Sequence, residues 1–275
     1  MAVVLEGGCR VSQMREGDPL VNGTLSIWNQ IGRTTGAQAI SLRVMEFAPG
    51  MSPGIRNNDS DEILYVLGCW ERGRPFPTNG SVGTARGSGW ATTFINGHPY
   101  EVGPDTGIYV RPKETFAIDN PGADSIIIVS SQCPDPDRAL QFVAPLIRPA
   151  IDSTRPDPPP IVRLADRRAI PTADRWYRVL VDEEVGSTQA TQFVGSIPPG
   201  RAPDHFHEYE EVLFILRGQG RMWAGETSTP IGFGSCIYIP KGQPHCVENT
   251  GTDELRLLGV FYPAGSPSVR YDVVP

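Results

Sequence analysis

The chain has 275 residues, 39% of them hydrophobic, which is enough apolar side chain to bury a core of one large or two ordinary domains and excludes general disorder. A formal net charge of −7 argues against a general nucleic-acid binder, which needs a basic face to displace counterions. No run of about 18 apolar residues crosses a membrane as a helix, and the opening MAVVLEGGCRVSQ lacks the basic start and long apolar stretch of a secretory signal.

Thirty glycines and 27 prolines set among short β-branched runs favour an all-β chain with frequent reversals. Five scattered cysteines (Cys9, Cys69, Cys133, Cys236, Cys246), with no C-x-x-C pair, read as reduced thiols and place the protein in a cytoplasmic compartment.

In chain order, Ile63–Gly68 (ILYVLG) is the first strong strand signal. The stretch Arg72–Gly89 is Gly-, Pro- and Ser-rich without periodicity, and reads as a long loop inserted at about 70–90. Asn96-Gly97 is a hairpin turn, and His98 after it is expected in an exposed loop. From Pro134 the strand rhythm breaks: DPDRALQFVAPLI allows a short helix, and Pro156, Pro158, Pro159 and Pro160 then fix an extended linker. This divides the chain into 1–150 and 151–275.

The second half partly repeats the first. IYVRPKETFAIDNPG (Ile108–Gly122) corresponds to IYIPKGQPHCVENTG (Ile237–Gly251) without a gap at an offset of 129, and Glu62 corresponds to Glu211 at an offset of 149. Expected strands in the second copy are Thr191–Ile197, Glu211–Leu216, Gly220–Ala224, Ser235–Ile239, His245–Asn249 and Leu255–Tyr262. Short strands with polar turns describe a barrel or sandwich.

Three of the four histidines fall in this copy: His205 and His207 two apart, then His245 beyond a Pro-Lys-Gly turn. Residues two apart on a strand share a face, so His205 and His207 can grip one ion, with Glu211 heading the next strand. Three imidazoles and a carboxylate form a mixed N/O site with bonds of about 2.0–2.2 Å, suited to one Fe, Mn, Ni, Co or Zn ion, with positions left open for water, substrate or O2.

These residues resemble the cupin superfamily, and the duplication resembles a bicupin. The pattern H-x-H-x(3,4)-E-x(6)-G is met by His205, His207, Glu211 and Gly218, with Gly200 one residue closer than usual. The pattern G-x(5)-P-x-G-x(2)-H-x(3)-N is met by Gly234, Pro240, Gly242, His245 and Asn249. The resemblance covers about Gln189 to Tyr262. It implies two tandem double-stranded β-helix, jelly-roll-like barrels joined by the Pro-rich linker with its short helix, and a metal site in the C-terminal barrel alone.

In the first copy Arg56 and Asn58 align with the two leading histidines, Glu62 is kept, and Phe116 replaces the last histidine. Arginine stays protonated and phenylalanine has no lone pair, so this copy is a degenerate cupin without a metal. An Arg56–Glu62 ion pair is expected to fill it.

Other residues have plainer readings. Cys246 alternates away from the ion and packs; Tyr238 and Trp223 pack the barrel; Gln192 reaches toward the cavity. The acidic runs Asp182–Glu184 and Glu208–Glu211 are solvated apart from the ligand, and Arg163, Arg167 and Arg168 form an interdomain or oligomer contact. Leu213, Ile215, Val247 and Phe193 give the live site apolar walls suited to an organic substrate and O2.

The sequence therefore supports a metal-dependent enzyme acting on a small molecule, leaning to a dioxygenase or oxygenase using Fe, Ni or Mn. The alternatives are a non-redox hydrolase, lyase, decarboxylase or isomerase, as in the similar one-live, one-dead arrangement of ureidoglycine aminohydrolase-type bicupins, and a non-catalytic sensor. General acid and base residues are not identifiable, and a homodimer is implied by the resemblance alone.

Overall fold

The computed structural model describes residues 1–57, 59–70, 89–136, 138–148 and 156–268. Within them the regular structure is strand, interrupted by single 3-10 turns such as Arg33–Thr35 and Glu183–Val185, and no α-helix is present among the described residues. Two sandwiches result. In the second, a sheet containing Ser235–Ile239, Glu210–Arg217, Leu255–Tyr262, Thr191–Ile197 and Arg175–Val181 faces a sheet of Gly200–Arg201, His245–Asn249, Gln219–Ala224 and Thr227–Gly232. In the first, the sheet of Thr106–Val110, Asp61–Trp70, Ser125–Cys133, Leu42–Phe47 and Leu25–Ile31 faces one built on Ala91–Ile95 and Thr115–Asn120.

Alternation along the strands explains the stacking of the two units. In Glu210–Arg217, Leu213 and Ile215 join the interior of the second barrel. Val212 and Phe214 point the other way, into an apolar cluster shared with Ile63, Tyr65, Tyr109 and Val129 of the first copy. These strands are apolar on both faces because both faces are covered.

The duplication is visible at bond level. Asn120 Nδ2 donates to the Phe47 and Asp124 carbonyls, each at 2.9 Å, and its Oδ1 accepts from Gly122 N. Asn249 repeats this turn with Ile197, Asp253 and Gly251. The copies also exchange strands. Arg10–Gln13 adds to the second barrel's sheet beside Ser235–Ile239, and Ile161–Arg163 adds to the first barrel's sheet beside Thr106–Ile108.

Several expectations are corrected. The segment expected to hold a short helix instead forms the strand Gln141–Val143, paired with Gly54–Arg56. Leu140 and Phe142 gain burial against the first core by this route, and tertiary packing overrides a helix-compatible sequence. His98 is buried and opens the strand His98–Val102 after a turn with Asn96 and Gly97 both at positive φ. Gln192 faces the first unit, its Nε2 donating to the Leu64 carbonyl at 3.5 Å, rather than the cavity.

Glu210 is not solvated: it is buried, accepts from the Gln38 and Ala39 backbone amides of the first copy, and receives the Tyr238 hydroxyl. Arg163 lies over the Trp90 ring at 5.5 Å, so this part of the basic cluster contacts the other unit. The linker from Pro156 is tied down as well, Pro160 O accepting from Tyr109 N and Pro158 O from Arg111 Nη2. Residues 71–88 of the loop expected at about 70–90, and Asn58, lie outside the described residues.

Candidate metal centre

Two turns bring the motif residues together. His205 and His245 form an isolated antiparallel bridge, each amide donating to the other's carbonyl, at 3.0 and 2.8 Å. Gly242 N donates to His207 O at 2.8 Å, which ties the loop carrying the first two histidines to the turn before the third. Gly242 sits at φ +76, a left-handed conformation that glycine adopts without strain. His205 and His207 thus converge through loop geometry and the bridge; neither lies on a long strand.

One nitrogen from each of the three imidazoles lies within 4.8 Å of the others. Glu211 Oε2 stands 3.6 Å from His207 Nε2 and 3.9 Å from His245 Nε2. Ligand atoms around an ion bonded at about 2.1 Å are roughly 3–4 Å apart, so a small contraction would seat one. His245 Nδ1 lies 2.8 Å from the Gln243 carbonyl. That contact assigns the proton to Nδ1 and leaves the Nε2 lone pair facing Glu211.

The electrostatics fit a cation. Burial holds the imidazolium forms of His205 and His245 below their ordinary range and pushes His207 down to about 3, so all three rings present lone pairs at neutral pH. Burial also pushes Glu211 up to about 8. Among the described residues no group donates a hydrogen bond to this buried carboxylate, and a cation would supply the missing charge.

The cluster lies in a cavity of about 90 Å³ whose walls include Tyr177, Phe193, Leu213, Val247 and Leu257. Of the expected apolar wall, Phe193, Leu213 and Val247 line it, whereas Ile215 is packed in the interior core. An aromatic column supports the site: His207 stacks on Tyr209 with centroids 4.7 Å apart, and Tyr209 stacks on Phe261 at 4.4 Å. Sequence reading missed Tyr209 and Arg175, which also line the cavity. Tyr209 continues the alternation His205, His207, Tyr209, a signal that was available; Arg175 had none. Cys246 is buried and turned to Arg201, whose Nε donates to its sulfur at 3.4 Å.

The first barrel shows how its counterpart is filled. Phe116 pairs with Ile55 as His245 pairs with His205, so buried Ile55 stands in the place of His205. Arg56 is exposed, one residue along, and does not meet Glu62. Glu62 pairs instead with Arg43 Nη2 at 2.6 Å, both side chains at most 5% exposed, and also receives the Ser130 hydroxyl. The copies differ by one residue in the loop before this glutamate, which the expected Arg56–Glu62 pair overlooked.

Residues 193–261 match the family described as Cupin domain. The chain is 33% identical over 85 residues to the oxalate-binding protein of Thermotoga maritima, a match covering 30% of this chain and 70% of that protein. The chain belongs to the cupin superfamily. This cupin is also 36% identical over 73 residues to auxin-binding protein 1 of Arabidopsis thaliana, covering 23% of this chain and 37% of that protein, well under two thirds of its length.

Over both copies the fold is similar to that of Bacillus subtilis oxalate decarboxylase. A structure described for its Mn(II) centres superposes with a TM-score of 0.71 at 13% identity, covering 96% of this chain and 81% of that one. Its structure at pH 4.6 gives 0.67 at 13% identity, covering 93% and 77%. At this identity the likeness concerns the fold. No helix among the described residues is long and apolar enough to cross a membrane.

Proposed function

We propose that this cupin is a metal-dependent enzyme that binds one Fe, Mn, Ni, Co or Zn ion through His205, His207, Glu211 and His245 and acts on a small organic molecule. The observation that carries the proposal is the convergence of three neutral imidazoles and a buried carboxylate at one end of a partly apolar cavity. Such an ion supplies a Lewis acid and, for a redox metal, a place for O2. The chain orients the ligands through the His205–His245 bridge and the Gln243 carbonyl, and excludes water with Phe193, Leu213 and Leu257.

Within that class a dioxygenase or oxygenase is the leading reading. Among the described residues lining the cavity, Glu211 is the sole carboxylate, and it is committed to the ion. That leaves no carboxyl proton relay for a hydrolase or lyase, whereas reaction of an organic substrate with O2 needs none from the wall. The second reading is non-redox decarboxylation, supported by the fold shared with oxalate decarboxylase.

In this proposal residues 151–275 form the working cupin and 1–150 a degenerate one that covers it, in a cytoplasmic homodimer. The test is turnover of a panel of small organic substrates by the metal-loaded protein, with and without O2. Oxygen-dependent turnover with matching O2 consumption supports the leading reading. Full anaerobic turnover selects the second, and metal binding without any turnover overturns the enzyme reading.

A further inference from the structure

Once the three histidines and Glu211 are assigned to an ion, Arg175 is the remaining formal charge on the cavity wall among the described residues. It opens the strand Arg175–Val181 and alternates in phase with Tyr177 and Val179, which pack with the barrel interior. Its side chain is 16% exposed, and its Nε donates to the exposed Asp174 carboxylate at 3.0 Å. No described residue accepts from its two terminal nitrogens, and it shares the cavity wall with His205.

A divalent ion with one carboxylate ligand, beside a guanidinium, leaves the cavity with excess positive charge, which selects an anion. A guanidinium with both Nη groups available presents a planar fork that matches a carboxylate in bidentate fashion. The rest of the wall holds the apolar side chains of Phe193, Leu213, Val247 and Leu257, with hydroxyl-bearing residues such as Thr172 and Tyr177 and, among the described residues, no second cationic side chain. Away from the ion, a second carboxylate on this wall would be desolvated without a second cation to pair with. The cavity, of about 90 Å³, suits a small organic acid.

Resting on the metal-centre reading, we infer that Arg175 is a specificity-determining residue and that the substrate is a small monocarboxylate with an apolar remainder. Its carboxylate lies on Arg175 and its carbon chain along the Phe193–Leu257 wall. With one guanidinium and no second cationic side chain among the described residues, the wall differs from one built to pair both ends of a short dicarboxylate.

The test uses full-length protein loaded with Mn(II), its metal content measured first for wild type, Arg175→Gln and Arg175→Lys. Butyrate, its neutral isostere butyramide, and oxalate are then titrated calorimetrically. Butyrate is expected to bind wild type more tightly than butyramide or oxalate. Arg175→Gln is expected to weaken butyrate by roughly 10- to 100-fold, the scale of a lost charge-assisted pair, without changing butyramide. Arg175→Lys should fall between.

Equal butyrate affinity in wild type and Arg175→Gln overturns the inference, as does oxalate binding wild type at least as tightly as butyrate. Loss of metal from Arg175→Gln also overturns it, since the arginine would then serve the ligand set. If wild type takes up no Mn(II), the metal-centre reading fails. The same titrations on metal-free protein then still decide whether Arg175 holds the carboxylate.

Discussion

Replacing Glu211 by glutamine keeps the shape of the side chain and removes its titration. In the metal-free protein, burial pushes this carboxyl up to about 8 from an ordinary 4.5. A raised folded value means that the stability contributed by the protonated group is fully present below pH 4.5 and is lost as pH rises through 8. At 1.36 kcal/mol per unit, a shift of this size amounts to about 5 kcal/mol between the two limits.

Chelator-treated wild type should therefore lose about 5 kcal/mol more than Glu211→Gln between pH 4.5 and pH 9 in urea denaturation. The buried histidines are present in both proteins and cancel. One equivalent of Mn(II) should reverse the order at pH 8, stabilising wild type and leaving the variant unchanged. Parallel pH profiles for the two metal-free proteins would refute the reasoning, because Glu211 would then be ionised at no cost.

Three further outcomes follow from packing. A methyl group added at Gly259 would lie 2.3 Å from the Phe193 ring, so Gly259→Ala should cost about 1–3 kcal/mol by overpacking and drive the ring into the metal cavity; urea denaturation and a crystal structure check this. In the first barrel, Glu62→Ala leaves Arg43 buried without its counter-charge and should cost about 3–5 kcal/mol, whereas Arg43→Met combined with Glu62→Leu should recover most of that in a double-mutant cycle. Residues 151–275 expressed alone lack Arg10–Gln13 and expose the edge at Ser235–Ile239, so this fragment should aggregate, and co-expression with 1–150 should restore soluble material.

Much of the second barrel was legible because its information is local. Thr191–Ile197, Ser235–Ile239, His245–Asn249 and Leu255–Tyr262 form at the expected limits, since β-branched and apolar runs are bounded there by turn residues. The four proposed ligands stand together because the glycines and prolines of the motif fix two tight turns. What escaped was non-local. Arg10–Gln13 carries no strong alternation, and its partner lies more than 200 residues away. Gln141–Val143 took strand form from its neighbour Gly54–Arg56. Arg43 and Arg175 gain their meaning from what faces them across a barrel, which spacing along the chain does not encode. The one-residue difference that puts Ile55 in the place of His205 lies in a loop without periodicity, where an ungapped alignment has nothing to correct it.

The central claim is one metal ion per chain, held in the C-terminal barrel. Elemental analysis with native mass spectrometry of the protein purified without added metal tests it most directly, with His205→Ala and His245→Ala run beside wild type. Wild type should carry one transition-metal ion per chain and either variant almost none, with unchanged far-UV circular dichroism because the barrel core is apolar. Two ions per wild-type chain, or full metal content in folded His245→Ala, would contradict it.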